Sequence, residues 1–392
     1  MRVRIGAGKT AGTVAAPPSK SDVHRLLIAA ALCAGEQTVI RGFYPSRDIE
    51  ATVACLCAMG AEISVCGQDC TVRGMPREKK GGEICLPCGE SGSTLRFLLP
   101  LCMREDGTAL LCGSKTLLSR PLAVYESIAK EQGLRFERVG DTALRVGGAL
   151  CVNGCAADGG ISSQFFSGLC FRAAADGGKS EISFTRPLQS AAYLQMTAQV
   201  LSRFGVLVKI DAEKITVQGA LHSPGECTAQ GDWSGAAFFK VLNAFGGDVR
   251  VTGLAPDSLQ PDRAIQALFQ RIQGLGQGGG DGRRHAITSL DSRNVREGSF
   301  PAERPPPPFF LPASLIAGAF AFVALSVAAV VPRGNLDVRQ CAETVGLMVL
   351  AAFHGAMDAL ILLSHDEIPP CEKVSPVGAQ NTFCPDGGLA IA

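Results

Sequence analysis

Lys20, Ser21 and Arg25 stand in Pro18-Ser19-Lys20-Ser21-Asp22-Val23-His24-Arg25, directly ahead of the apolar run LLIAAALCA. Two prolines and a serine before an apolar run are a helix-entry signal. Lys20 is therefore expected where unpaired backbone N–H groups face outward, and Ser21 and Arg25, four residues apart, share a face. An ammonium, a hydroxyl, a guanidinium and the positive end of a helix dipole gathered in one place would hold an anion. A solvated basic helix start is the alternative. A second candidate is Gly89-Glu90-Ser91-Gly92-Ser93-Thr94-Leu95-Arg96. Its small residues let backbone approach a ligand, and Ser93 or Thr94 can cap a helix. It resembles a phosphate-cradling loop without the lysine of a P-loop, and an ordinary N-cap also explains it. Ser162, Ser163 and Gln164, with Ser190 and Tyr193 further on, offer hydroxyls and an amide suited to a polyol phosphate; Ser-rich turns are also commonly caps. Arg120, in Ser119-Arg120-Pro121, could clamp a carboxylate or phosphate with both arms of its fork, or lie on the surface. Gly231-Asp232-Trp233-Ser234-Gly235 reads as another capped helix start.

The elements that must position these groups announce themselves as a repeat. ATVACLCAMGAEISVCGQDCTVRG, VYESIAKEQGLRFERVGDTALRVGG and TAQVLSRFGVLVKIDAEKITVQG each read as an amphipathic helix, a glycine, and two strands joined by a polar turn. Gly60, Gly133 and Gly205 are the pivots, at near-equal spacing, and each suits a helix C-terminus that needs a left-handed residue before the chain reverses. A period this long is one unit of helix and sheet repeated, not a short solenoid. A fourth copy would pivot at Gly276. Beyond about residue 277 the pattern stops. ERPPPPFF follows, then an uncharged stretch from Phe309 to Val331 that meets the length rule for a membrane helix and also suits a buried one. No fold is read for residues 278–392.

A chain of 392 residues with 46% hydrophobic content can bury a large core, and its length favours two or more domains. Its 37 basic and 36 acidic residues leave no basic excess of the kind nucleic-acid binders carry. The N-terminus has no apolar core of a secretory signal, so the 16 cysteines are expected as thiols, in the cytoplasm. Cys66 and Cys70 with Cys85 and Cys88 have spacing within the range of a zinc ribbon. The sibling repeats lack cysteines there, so filler thiols are the better reading and no metal is expected.

In this order, the motifs resemble one family. PSKSDVHRLLIAAAL is similar to the N-terminal signature of 5-enolpyruvylshikimate-3-phosphate synthases, and GESGSTLRFLLPL to their second signature, usually written with Asn where this chain has Glu90. SRPL, SSQFFSGL, LQSAAYLQMTAQVLSRFGV and GDWSGAAFF follow in the family's order, so the resemblance spans roughly residues 1–270. Ser21 and Arg25 argue against the sister family, which acts on a UDP-amino sugar. The resemblance implies an α/β fold of two domains built from βαβαββ units, an inside-out α/β barrel. It places a three-repeat domain at 19–230, with 1–18 and 231–392 in the second. It implies transfer of the enolpyruvyl group of phosphoenolpyruvate to the 5-hydroxyl of shikimate 3-phosphate, with release of phosphate and no cofactor. Lys20 would touch both ligands and assist proton transfer. Ser21 and Arg25 would hold the shikimate carboxylate; Ser162, Ser163 and Ser190 its phosphate. Gln164 would line the ring and reach phosphoenolpyruvate, which Gly92 and Arg120 would bind. A monomer without membrane or nucleic-acid partners is expected.

The family keeps half of its site further along. SLDSRNV is similar to the segment around the family's aspartate base, which puts Asp291 at that position. No Lys-Glu-x-x-Arg and no Asp-His-Arg follows. From about residue 296 the chain departs from the family, which suggests a shifted reading frame or a diverged tail. A restored Lys-Glu-x-x-Arg in another frame on resequencing would support the shift, and a clean single frame would exclude it. A non-catalytic or defective shikimate-phosphate-binding relic of this family, with an aberrant C-terminus, is the alternative function.

Overall fold

The structure, a computed structural model, describes residues 10–76, 81–105, 107–244 and 247–267. Gly276, Asp291, the Phe309–Val331 stretch and the rest of 278–392 lie outside the described residues.

The chain begins with β1 (Ala11–Ala15) and then runs through three successive units. The first holds α1 (Lys20–Leu32), β2 (Gln37–Arg41), α2 (Arg47–Ala58), β3 (Glu62–Cys66) and β4 (Asp69–Arg73). The second holds β5 (Gly82–Gly89), α3 (Gly92–Cys102), β6 (Gly107–Gly113), the single turn α4 (Lys115–Leu118), α5 (Ala123–Glu131), β7 (Arg135–Val139) and β8 (Ala143–Gly147). The third holds β9 (Ala156–Ala157), α6 (Ser163–Asp176), β10 (Gly178–Phe184), α7 (Ala191–Arg203), β11 (Val206–Ile210) and β12 (Lys214–Gly219). β13 (Glu226–Thr228), α8 (Trp233–Ala244), β14 (Asp248–Thr252) and a 3-10 turn at Pro261–Arg263 follow.

The units share one topology. Their four-stranded sheets run β13-β2-β4-β3, β5-β6-β8-β7 and β9-β10-β12-β11. In each, the first pair is parallel and the other two antiparallel. The first unit borrows its opening strand, β13, from a point in the chain beyond the third unit. In the second and third units the parallel strands are joined by a helix, α3 or α6, as a parallel crossover requires. The last two strands of each unit form a hairpin that follows Gly60, Gly133 or Gly205. These glycines have φ of 105°, 66° and 85°, where a side chain is disfavoured. The helix–glycine–hairpin repeat read from the sequence is therefore present at all three pivots.

Each unit has an inner and an outer helix. α1 is buried from Asp22 to Ala31, and α3 and α6 are buried over most of their length. α2, α5 and α7 bury a single stripe, such as Val124, Tyr125, Ile128 and Ala129 of α5. Phe97, Tyr125, Phe165, Phe166, Phe171 and Phe204 are fully buried, and each such side chain stabilises by about 1.5–3 kcal/mol against exposure. Residues 10–19 run beside 230–252. β1 pairs parallel with β14, and Pro18 is bridged to Gly231. Ser19 N–H donates to Gln230 O (2.7 Å), and Asp232 N–H donates to Pro17 O (2.8 Å).

No disulfide joins cysteines of the described residues. Cys66 and Cys70 lie on β3 and β4, whereas Cys85 and Cys88 lie on β5 of a different sheet. Among the described residues no helix is long and apolar enough to cross a membrane.

Candidate anion-binding site

The first anion motif opens α1. Lys20 is its first residue, and the Lys20 Nζ lies 2.6 Å from Asp48 Oδ2 in the first turn of α2. The lysine side chain remains 56% exposed, so the contact orients it without burying it. Ser21 is half-buried, and its carbonyl accepts from Arg25 Nη1 (2.6 Å). Arg25 is buried. Its Nε donates to Thr197 Oγ1 (2.8 Å) and its Nη2 to Tyr193 O (3.0 Å), and its guanidinium sits 5.0 Å over the Phe97 ring. Burial holds it below its ordinary value, at about 10, so it is charged at neutral pH. Three of its five N–H groups are used, which leaves donors for a ligand carboxylate.

The second motif opens α3, but its cap is Ser91, not Ser93 or Thr94. The helix begins at Gly92, two residues earlier than a Ser93 cap would start it and three earlier than a Thr94 cap would, and the Ser91 hydroxyl accepts from Thr94 N–H (3.3 Å). Two guanidiniums crowd this helix start. A Cβ on Gly92 would lie 2.9 Å from Arg120 Nη1 and 3.8 Å from Arg96 Nη1. Arg96 Nη1 donates to Gln164 Oε1 (2.6 Å), while its buried Nε has no hydrogen-bond partner. Gln164 Nε2 in turn donates to Ser93 Oγ (3.3 Å). Burial, and after it the charge of Arg120, lowers the Arg96 pKa from its ordinary value. Neither arginine is ion-paired among the described residues. Two guanidiniums, a glycine and a helix N-terminus without a counter-ion form a place where an anion is favoured.

The third motif opens α6. Ser162 is its N-cap and accepts from Gln164 N–H (3.3 Å), and Ser163 is buried in the first turn. Ser190 precedes α7 with φ 55° and ψ 40° and makes no cap hydrogen bond. It is the only non-glycine with positive φ among the described residues, a conformation costing about 1–2 kcal/mol. Its exposed hydroxyl is presented rather than consumed. Asp232, before α8, accepts from Gly235 N–H (2.7 Å), and burial raises its pKa.

The structure thus brings Lys20 to Asp48, and Arg96 to Gly92, Arg120 and Gln164. Sequence reasoning missed Asp48 and the role of Arg96. Arg96 carried a signal, since it lies four residues after Gly92 on the same helical face. Asp48 carried none, because only the packing of α2 on α1 brings it to Lys20. Among the described residues no group of His, Cys, Asp and Glu side chains could hold a metal.

Repeated βαβαββ units of this topology define the enolpyruvyl transferase class of α/β proteins. Two solved structures of EPSP synthase from Acinetobacter baumannii share this fold with TM-scores of 0.57, at 23% and 22% identity. They cover 69% of this chain, which spans 61% and 62% of theirs. Within that class, the chain belongs to the EPSP synthase (3-phosphoshikimate 1-carboxyvinyltransferase) family, whose model matches residues 5–298. It is 36% identical over 275 residues to the 3-phosphoshikimate 1-carboxyvinyltransferase of Methanopyrus kandleri, and 34% identical over 279 residues to that of Clostridium beijerinckii. These matches cover 68% and 69% of this chain; the chain spans 64% of the length of each relative.

Proposed function

We propose that the chain transfers the enolpyruvyl group of phosphoenolpyruvate to the 5-hydroxyl of shikimate 3-phosphate. The observation that carries the reading is the Arg96–Arg120–Gly92–Gln164 cluster beside the Lys20 helix start, in a chain of this family. Both substrates are multiply charged anions, so apposing them needs fixed cations and helix N-termini to offset their repulsion. In this reading the α3 start, with Gly92, Arg120 and Gln164, takes phosphoenolpyruvate. Ser21 and Arg25 take the shikimate carboxylate, and Ser162, Ser163 and Ser190 take its phosphate.

Lys20, exposed and oriented by Asp48, stands between the two. The 5-hydroxyl oxygen bonds to C2 of phosphoenolpyruvate while C3 gains a proton. The hydroxyl proton passes to a base, the role assigned by resemblance to Asp291. The tetrahedral adduct then loses a proton from C3 and expels phosphate, restoring the enol ether. Lys20 supplies positive charge where the phosphate oxygen leaves and is placed to exchange a proton. The residues 19–230 form one domain in this reading, and 1–18 with the chain from 231 form the second, a division supported by the side-by-side run of 10–19 and 230–252. The chain is read as a cytoplasmic monomer.

Phosphate release from shikimate 3-phosphate and phosphoenolpyruvate tests the reading. The expected result is release that Lys20→Ala lowers by about 100-fold or more. Absence of release from the wild-type chain, with shikimate 3-phosphate still bound, would overturn the transferase reading and favour a binder.

A further inference from the structure

His24 and two threonines are not used by the chemistry above, yet they are deeply buried polar groups beside it. His24 is 1% exposed, Thr52 and Thr94 0%, and Ser91 2%. They form a line. His24 Nδ1 is 2.8 Å from Thr52 Oγ1, Thr52 Oγ1 is 2.6 Å from Thr94 Oγ1, and Thr94 Oγ1 donates to Ser91 Oγ at 2.7 Å. The line starts on α1, one turn from Lys20, passes through α2, and ends on the residue that caps α3. It touches Asp48 on the way. The Asp48 carbonyl lies 3.3 Å from Thr52 Oγ1 and 3.4 Å from Thr94 Oγ1, while the Asp48 carboxylate holds Lys20.

We propose that His24, Thr52 and Thr94 are positioning residues. Their hydrogen-bonded line sets where the N-terminus of α3 stands relative to that of α1, and so fixes the spacing of the two anion sites. The inference rests on the function proposed above.

The protons run in one direction. His24 Nε2 is buried without a partner, so the favourable tautomer carries its proton on Nδ1 and donates to Thr52. Thr52 then donates to Thr94, and Thr94 to Ser91. Every link has a donor and an acceptor, as a buried polar line must have to be tolerated. Burial lowers the His24 pKa to about 3, and the charges of Lys20 and Arg25 act in the same direction, so the ring stays neutral and the line keeps its direction. Apolar side chains of similar size would fill this space without the cost of desolvating four polar groups. What the polar line adds is directional constraint. A shift of α3 against α1 breaks a short hydrogen bond rather than sliding one methyl past another.

The test uses the full chain and calorimetric titration of shikimate 3-phosphate alone, then of phosphoenolpyruvate into the saturated complex. Thr52→Val keeps the shape and removes the hydroxyl; Thr52→Ser restores it. The expected result is that Thr52→Val holds shikimate 3-phosphate within about twofold of wild type but weakens phosphoenolpyruvate about tenfold. Thr52→Ser should recover most of that loss. Unchanged phosphoenolpyruvate affinity in Thr52→Val overturns the proposal, and so does a loss that Thr52→Ser does not recover, or an equal loss of both ligands. If Thr52→Val does not fold, Thr94→Val against Thr94→Ser is read the same way. Failure of both valine variants to fold would make the line a folding element and refute the positioning role. A wild-type chain that binds neither ligand would refute the proposed function, and this inference with it. Normal wild-type binding with an inert Thr52→Val would refute the inference alone.

Discussion

Gly92→Ala should separate stability from binding. The new Cβ would stand 2.9 Å from Arg120 Nη1, against an ordinary contact of 3.4 Å or more, so the guanidinium has to retreat by about half an ångström. That retreat is open to it, because the atom is the far end of an exposed side chain. The backbone does not object either. Gly92 is the first residue of α3 and does not have the left-handed φ that would strain an alanine. Alanine there restricts the unfolded chain and adds about 0.4–1 kcal/mol of stability. Binding moves the other way. A hydrogen bond to a charged group contributes about 1.5–3 kcal/mol, so mis-seating one Arg120 bond to phosphoenolpyruvate should raise its Kd about 10- to 150-fold. Shikimate 3-phosphate, held by other residues in the proposed reading, should keep its affinity within about threefold. Thermal unfolding and calorimetry on the same preparation check both halves. Phosphoenolpyruvate affinity within twofold of wild type, in a folded Gly92→Ala chain, would show that the α3 start does not hold this substrate.

His24→Asn should alter the acid limb of the stability curve. The folded-state pKa of about 3 lies below the ordinary 6.5, so the unfolded chain takes up the extra proton as pH falls. The stabilising contribution is complete above pH 6.5 and is lost on acidification towards pH 3, by about 2 kcal/mol between pH 6.5 and 4.5. Lys20, Arg25 and Asp48 surround the ring, and the buried Asp22 and half-buried Asp232, with raised values, act with the opposite sign. The difference between wild-type and His24→Asn denaturation midpoints across this range isolates the histidine, and parallel curves would contradict its neutral burial. Gly168→Ala should destabilise by about 1–3 kcal/mol or more. Its Cβ would meet Tyr125 Oη at 2.2 Å and the backbone oxygen of Arg96 at 2.5 Å, and the backbone cannot step aside; urea denaturation measures the loss. A mild disulfide oxidant such as diamide should link Cys85 to Cys112, whose sulfurs are 3.4 Å apart at an accessible position, with both thiols losing hydrogen to the reagent. Peptide mapping should find the link, and Cys85→Ser should abolish it, whereas buried Cys55 and Cys88 should remain thiols.

The repeat was legible because its signals are local. A glycine after an amphipathic helix needs no partner elsewhere to be read, and Gly60, Gly133 and Gly205 all have the positive φ that the pattern required. The helix starts at Lys20, Gly92 and Ser163 were visible for the same reason, although Ser91 rather than Ser93 proved to be the cap. What the sequence hid is non-local. Nothing in Glu226–Thr228 marks it as the first strand of a sheet whose other strands end at Arg73, since that role comes from parallel pairing with Gln37–Arg41. Asp48 looks like any acidic residue in a first helical turn until α2 packs on α1. Arg25 was expected to face a ligand. Its use of Tyr193 and Thr197 as internal partners depends on α7, which lies about 170 residues further along the chain.

The cations divide into two kinds, and the fold explains why. Arg25 and Arg96 sit over aromatic rings, at 5.0 Å from Phe97 and 5.3 Å from Phe165, with hydrogen bonds that tie α1 to α7 and α3 to α6. Their positions are therefore fixed before any ligand arrives, which limits the reorganisation that binding must overcome. Lys20 and Arg120 are exposed at the same helix starts, and Lys20 is oriented there by Asp48. Each inner helix adds roughly half a positive charge at its N-terminus. One such end is a weak site for an anion bearing several charges. Repetition of the unit brings the starts of α1, α3 and α6 into one network, linked by Lys20 to Asp48, by Thr52 to Thr94 and by Arg96 to Gln164. The field that the proposed pair of phosphorylated ligands would need is thus a consequence of the threefold repeat, and a single unit of this chain would lack it.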